Sequence, residues 1–251
     1  MQNNSGQEFM VNSRYEHISP APQDGGKIPQ PPLELPAPEG SSLIALPAFE
    51  TLNLPDMDLR MAIESRKTIR KYAAESLTLE EVTYLLWISQ GVKHVSPRPA
   101  TARTVPSAGA RHAFETYLLV NRVSGLEPGL YRYMAIDNGL VNLNAAADIA
   151  TRLKSACLDQ PQLENCAAAF IWVAVAERMY WRYVERGYRY LHLDAGHVCQ
   201  NLALGAEQIG GGICPIAAFD DVKLNATLGL DGEDLFVIYL ATVGKKADKR
   251  E

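Results

Sequence analysis

Nowhere in the chain do about 18 apolar residues follow one another, so no helix is expected to span a bilayer. The longest apolar stretch, Ala167 to Ala176, suits a buried strand instead. Net positive charge is missing too. Lys and Arg number 24 against 29 Asp and Glu, a net of −5, which counts against the basic footprint of a nucleic-acid binder. The N-terminus, MQNNSGQEFMVNSRY, has no basic start followed by an apolar block, so a secretory signal is not expected. Cysteine is sparse: Cys157, Cys166, Cys199 and Cys214 form no CxxC pair and show no metal-ligand rhythm. The expectation is free buried thiols, no metal and a reducing cytoplasm.

Several familiar chemical signatures are also absent. No GxGxxG follows a strand and no GxxxxGK[ST] occurs, which removes the usual dinucleotide and nucleotide fingerprints. His192 and His197 stand five apart on a helical stretch, roughly 140° around it, and are badly placed to share a metal. Asp194 and His197, three apart, are expected to pair with each other.

What is present begins with size. A compact chain of 251 residues hides roughly three quarters of its unfolded surface, and 47% hydrophobic content supports a sizeable core. Residues 1–50 differ from the rest: Pro20, Pro22, Pro29, Pro31, Pro32, Pro36, Pro38 and Pro47 crowd them. Proline fixes φ and lacks an N–H, so neither helix nor central strand is expected through residues 1–50. This segment reads as an extended arm, either a tail or a strap around a partner subunit, and residues 51–251 as the folded body.

Within the body, Met57 to Ser65 reads as a helix. Thr78-Leu79-Glu80-Glu81 is a capping box opening a second helix that runs to about Gln90, with Gly91 as a left-handed cap. Phe114 to Val120, Leu130 to Met134 and Leu140 to Leu143 read as strands, the last two joined by the Asp137-Asn138-Gly139 hairpin turn. Ala145 to Leu158 and Arg178 to Tyr190 read as helices. Ala195, Val198, Leu202, Ala206 and Ile209 form the core-facing stripe of a long one, ended by Gly210-Gly211-Gly212. Leu235 to Val243 is a final β-rich run. The architecture is a mixed α/β body, a hairpin-containing sheet with flanking helices.

Four segments carry chemistry. Arg66, Lys67, Thr68 and Arg70 place three cations and a hydroxyl within five residues, either a solvated basic face or a phosphate cradle, since arginine's planar fork suits a dianion. Lys245 and Lys246 form a second basic pair, either a soluble tail or a further contact to the same anion. The small-residue loop Thr104 to Arg111, containing Ser107, Ala108 and Gly109, is either an ordinary loop or a close approach to a flat ligand. Gly210 to Ala218, containing Pro215, Ile216 and Ala217, is either a linker or a wall along a planar ring.

These strings, taken in order with Arg186-Gly187-Tyr188-Arg189-Tyr190 and Leu193-Asp194-Ala195-Gly196-His197, resemble the nitroreductase-like flavoprotein superfamily. Within it they most resemble the SagB-type dehydrogenases, relatives of the thiazoline and oxazoline oxidases. The resemblance covers about residues 30 to 247. It implies an α+β fold with a central mixed or antiparallel sheet flanked by helices, in an intertwined homodimer with FMN at the subunit interface. It implies ping-pong oxidoreduction, FMN taking a hydride from one substrate and passing electrons to a second. Arg66, Thr68 and Arg70 match the flavin phosphate, ribityl or pyrimidine contacts, and Lys67 a position that meets FMN through its backbone. Ser107, Ala108 and Gly109 match the loop reaching the flavin from the partner. Pro215, Ile216 and Ala217 match the stretch beside the ring, and Lys245 or Lys246 the C-terminal phosphate contact.

The resemblance also shows departures. Arg182 stands where the azoline oxidases carry lysine, and arginine stays charged, which counts against azoline oxidation. Tyr183 is retained and can relay a proton, so Arg182 and Tyr183 are the catalytic candidates. Ala110 replaces the asparagine of broader nitroreductases. The substrate expected is a small molecule or peptide, and two other readings stand beside the first: an NAD(P)H-dependent nitro- or quinone reductase, and a flavin-binding scaffold in a peptide-modifying complex.

Overall fold

In the computed structural model, residues 4–26 and 28–247 are described. The chain opens with α1 (Ser5–Asn12), α2 (Pro22–Gly25) and the short strand β1 (Leu43–Ala45). There follow α3 (Leu59–Ser65), β2 (Leu77–Thr78), α4 (Leu79–Gln90), β3 (Val92–Ser96), β4 (Ala100–Arg103), β5 (Phe114–Val120) and β6 (Val123–Ser124). Next come β7 (Gly129–Met134), β8 (Gly139–Asn144), α5 (Ile149–Ala156), α6 (Gln162–Asn165) and β9 (Ala168–Val175). The chain closes with α7 (Ala176–Tyr183), α8 (Arg186–Gln208), β10 (Gly211–Ile216), α9 (Asp221–Leu228) and β11 (Leu235–Lys245).

Seven strands form one sheet in the order β1-β8-β7-β5-β9-β11-β10, every neighbour antiparallel. All eight residues of β9 are buried, the outcome expected for an apolar run covered on both faces. Side chains alternate across a strand, so β9 divides its residues between two cores. Phe170, Trp172 and Ala174 pack with α4 and α8, while Ala169, Ile171 and Val173 pack with α5 and α9. The stripe Ala195, Val198, Leu202, Ala206 and Ile209 is buried as its spacing requires. All four cysteines are free and buried.

Local signals explain the element ends. Asp58 accepts from the Met61 N–H and starts α3, and Thr78 with Glu81 closes the expected capping box on α4. Gly91 ends α4, but with φ −58° it is not left-handed. The helix read over residues 178–190 is broken at Val184, whose φ of 49° separates α7 from α8. Gly210 to Ala218 is neither linker nor loop: most of it is the edge strand β10. The β3–β4 hairpin lies outside the main sheet and was not expected, because its turn is the proline-broken Pro97-Arg98-Pro99.

The strand supplied by the proline-rich segment, β1, lies at the sheet edge and pairs with β8. Two α-helices correct the expectation of an extended arm: α1 forms ahead of the first proline, and α2 is a single turn with proline at the start, where the missing N–H has no partner to lose. Residues 32–36 lie on the chain's own sheet. Arg178 Nε donates to the Pro32 carbonyl at 2.7 Å, and the Leu35 N–H to Glu115 Oε1 at 2.9 Å. Arg178 and Glu115 form an ion pair with both side chains 3% exposed.

Candidate functional site

The segment from Arg66 to Ala73 crosses the ends of β10 and β11. The Ile69 N–H donates to the Ile213 carbonyl at 2.8 Å, and the Ala73 N–H to the Lys245 carbonyl at 3.0 Å. It can lie this close because Gly212 and Gly244, paired across β10 and β11, have no side chains. A Cβ at Gly212 would sit 2.5 Å from Ile69, and one at Gly244 2.8 Å from the Tyr72 ring. Tyr72 reaches inward and its hydroxyl meets the Thr242 carbonyl at 3.0 Å. With Ile69 and Tyr72 turned in, Lys67, Thr68 and Arg70 stay exposed and Arg66 half-buried. Among the described residues, the side chains of Arg66, Lys67 and Arg70 have no ion pair or hydrogen bond.

Arg70 opens onto a cavity of about 810 Å³, also lined by Lys71, Tyr72, Arg122, Gln160 and Gln162. Buried Gln162 donates to Gln160 Oε1 at 2.6 Å, and Gln160 Nε2 donates to the Ala218 carbonyl at 3.1 Å. Those bonds hold the amide pair beside the end of β10, next to Pro215, Ile216 and Ala217. Of these three, Ile216 is buried, Pro215 half-buried and Ala217 exposed. Sequence reasoning missed Gln160, Gln162 and Arg122. The one available signal was the polar Gln160-Pro161-Gln162 interruption shortly before an apolar run.

The two C-terminal lysines part company. Lys245 Nζ turns inward to Glu81 and to the Ile209 carbonyl, the latter at 2.7 Å. Lys246 pairs with Glu207, which also accepts from the Ser65 hydroxyl at 2.8 Å. Lys246 therefore stands beside the Arg66 segment, and Lys245 ties α4 to the end of α8.

Ser107, Ala108 and Gly109 gather elsewhere. Ser107 Oγ accepts from the His112 N–H at 2.9 Å, and Asp194 accepts from the Ala108 N–H at 3.3 Å. Asp194 thus pins the loop, which corrects the expected pairing with His197. Burial raises its carboxyl above the usual range. Gly109 has φ 57°, and a Cβ there would lie 2.4 Å from the Tyr183 hydroxyl and 2.8 Å from Arg182 Nε. The loop, Arg182 and Tyr183 therefore meet. Ala110 and His112 are also left-handed, at φ 52° and 43°. Such strain persists only where surrounding structure holds it and is concentrated at functional sites. Burial, together with Arg103 and Arg111, pushes the His112 imidazole down to about 3.

The predicted residues thus fall into two groups. One is the Arg66–Arg70 edge with Pro215 to Ala217 and Lys246; the other is the 107–109 loop with Arg182 and Tyr183. Helix α8 measures their separation, because Asp194 touches the second group and Glu207 the first. At 1.5 Å per residue their positions lie about 20 Å apart along the axis. The two groups do not form one site within a single protomer.

Residues 63–245 match the model of the nitroreductase family. A Methanocaldococcus jannaschii protein named as a nitroreductase is 31% identical over 205 residues, 82% of this chain and 97% of that one. The trifolitoxin-processing protein TfxB of Rhizobium leguminosarum bv. trifolii is 34% identical over 112 residues, covering 43% of this chain but only 30% of that relative. Among solved structures, an Anabaena variabilis protein named as a nitroreductase has TM-score 0.67 at 28% identity, over 83% of this chain and 42% of that one. A chain of the E. coli microcin synthetase McbBCD complex, solved with truncated pro-MccB17 bound, has TM-score 0.62 at 18% identity, over 97% of this chain and 92% of that one, a likeness of fold. From the match over residues 63–245, the relative similar along most of its own length and the shared antiparallel α+β architecture, this chain belongs to the nitroreductase family.

Proposed function

We propose that the chain is an FMN-dependent oxidoreductase of the SagB type. It works as a homodimer in which the Arg66–Arg70 edge of one protomer faces the 107–109 loop and Tyr183 of its partner. The observation that carries this reading is a run of cations without acidic partners among the described residues, Arg66 and Lys67 leading to Arg70, which lines a cavity of about 810 Å³. Unpaired guanidinium groups held together in a chain of net charge −5 suit an anion, and a phosphate in particular. The volume falls within the roughly 300–1,000 Å³ of ligand pockets. The Gln160–Gln162 amides, with Arg70 and Arg122, supply the mixed donors and acceptors that a pyrimidine edge requires. The residues fit the cofactor.

Arg66, Thr68 and Lys246 would hold the phosphate and ribityl chain, Lys67 would contribute its backbone, and Lys245 is already committed to Glu81. Arg70, Gln160 and Gln162 would meet the ring, with Pro215, Ile216 and Ala217 alongside. FMN, when bound, supplies the redox chemistry, taking a hydride from one substrate and passing electrons to another. Arg70 keeps fixed positive charge where the reduced ring gathers negative charge. Ser107, Ala108 and Gly109 would approach from the partner, where Tyr183 would relay a proton at its hydroxyl beside the Arg182 guanidinium. Exposed Leu59, Met61 and Ile63 on α3, each more than half accessible, support a partner subunit.

The trifolitoxin-processing relative and the fold shared with the McbBCD chain favour a peptide substrate. Arg182 favours a second reading, in which a nicotinamide donor sets its phosphates against that fixed charge. Anaerobic bleaching of bound flavin by NADPH, but not by azoline peptides, would select it. FMN titration tests the proposal itself: Arg66→Ala and Arg70→Ala are each expected to weaken binding roughly 10- to 100-fold, about 1.5–3 kcal/mol. A colourless protein that takes up no FMN would overturn it.

A further inference from the structure

Residues 4–24 lie on the face of α7 and α8 next to Arg182 and Tyr183, and the contacts that hold them are of an uncommon kind. Arg186 Nη1 donates to the Ser13 carbonyl at 2.8 Å, Arg189 Nη2 to the Met10 carbonyl at 2.9 Å, and Trp181 Nε1 to the Ile28 carbonyl at 3.0 Å. Two arginines of α8, Arg186 and Arg189, thus read main-chain oxygens of residues 4–24, which every polypeptide carries, while Trp181 on α7 reads Ile28, beyond the two glycines. Side chains of the arm add further contacts. Arg189 also meets Ser13 Oγ at 2.6 Å, Arg186 lies 4.2 Å above the Tyr15 ring, the Tyr15 and Tyr190 hydroxyls meet at 3.1 Å, and Phe9 lies edge-on to His192.

The hold is also light. From residue 4 to residue 20 only Ser13 is buried, and Tyr15 is 71% exposed. Beyond Gly25-Gly26 the character changes, because residues 32–36 are fastened by the buried Arg178–Glu115 pair. The segment before the glycines can therefore leave while the strap after them stays. What it would uncover is already hollow. A cavity of about 370 Å³ lies between Tyr15, Pro20 and Asp24 of the arm and Arg182, Tyr183 and Arg186 of α7 and α8.

We propose that the face formed by Arg186, Arg189 and Tyr190 is a polypeptide-docking surface, and that the chain's own residues 4–24 occupy it until a substrate peptide displaces them. The inference rests on the peptide reading above and adds where that peptide docks and what guards the surface. Main-chain recognition lets one surface accept substrates of differing sequence. The cavity leads the docked chain to Tyr183.

The test uses the full chain and a fluorescein-labelled peptide of residues 4–19 as the probe. In the Phe9→Ala/Tyr15→Ala variant the cis segment loses its side-chain anchors, and the probe should bind at least tenfold tighter than to the unmodified chain. Amide hydrogen exchange over residues 5–13 should quicken in parallel. Adding Arg189→Ala should abolish the gain, and Arg189→Lys should restore part of it. Equal probe affinity in the anchored and unanchored chains would overturn the proposal. So would conversion of the Phe9→Ala/Tyr15→Ala variant to a monomer, which would make the arm a subunit clasp. FMN affinity, read in the same preparations, reports on the flavin reading alone, so the two can fail separately.

Discussion

His112 is a neutral imidazole enclosed by protein and faced by Arg103 and Arg111, which holds its folded pKa at about 3 against about 6.5 when unfolded. Below pH 6.5 the unfolded chain takes up a proton that the native state refuses. Stability should therefore fall as pH drops from about 6.5 toward 3, by at most about 1.4 kcal/mol per unit from this group. His112→Asn removes the titration and tolerates φ 43°. Between pH 7 and 4 the unmodified chain should lose about 3 kcal/mol more than the variant; parallel urea-derived stability curves would contradict this. Arg66, Arg70 and Gly109 stand out in the sequence by residue type, and the structure leaves the two guanidinium groups without ion pairs among the described residues and sets Gly109 against Tyr183. Gln160 and Gln162 do not stand out, because amides announce no chemistry until a fold places them at a cavity wall. Nor could sequence distinguish Lys245 from Lys246, since the end of β11 decides which side chain turns inward.

At the scale of elements, the docking of residues 66–73 depends on two bare positions in neighbouring strands. Gly212→Val would force Ile69 away, at about 1–3 kcal/mol of overpacking. The expected signature is faster amide exchange at Ile69 and FMN binding weakened more than tenfold; unchanged affinity would detach the segment from the cofactor. The strap is equally specific. Glu115→Ala leaves Arg178 buried without its partner and should destabilise the fold by about 3–5 kcal/mol in denaturant titration, whereas a loss under 1 kcal/mol would make the pair dispensable. Long periodic elements were readable because burial imposes their pattern: β9 and the inner stripe of α8 came out where their spacing put them. The β3–β4 hairpin and the break at Val184 were not readable. Both depend on tertiary contacts that override local propensity, and Val184 adopts a conformation its β-branched side chain resists.

At the scale of the molecule, the order of helical and β-rich runs gives a hairpin-containing sheet with flanking helices, and the family resemblance gives its α+β class. The resemblance implies that the 107–109 loop reaches the flavin from a partner subunit, and within a protomer α8 keeps that loop about 20 Å from the Arg66–Arg70 edge. In the proposed homodimer, a second copy brings its 107–109 loop to the Arg66–Arg70 edge. The most direct test is complementation. One chain carries Arg66→Ala/Arg70→Ala and the other Gly109→Val, and their differently tagged heterodimer is titrated with FMN. Each parent homodimer should bind FMN poorly, while the heterodimer should regain one site of unmodified affinity, built from the intact edge of one chain and the intact loop of the other. A heterodimer with no such site would mean that each chain builds its site alone, and would contradict the shared-site architecture.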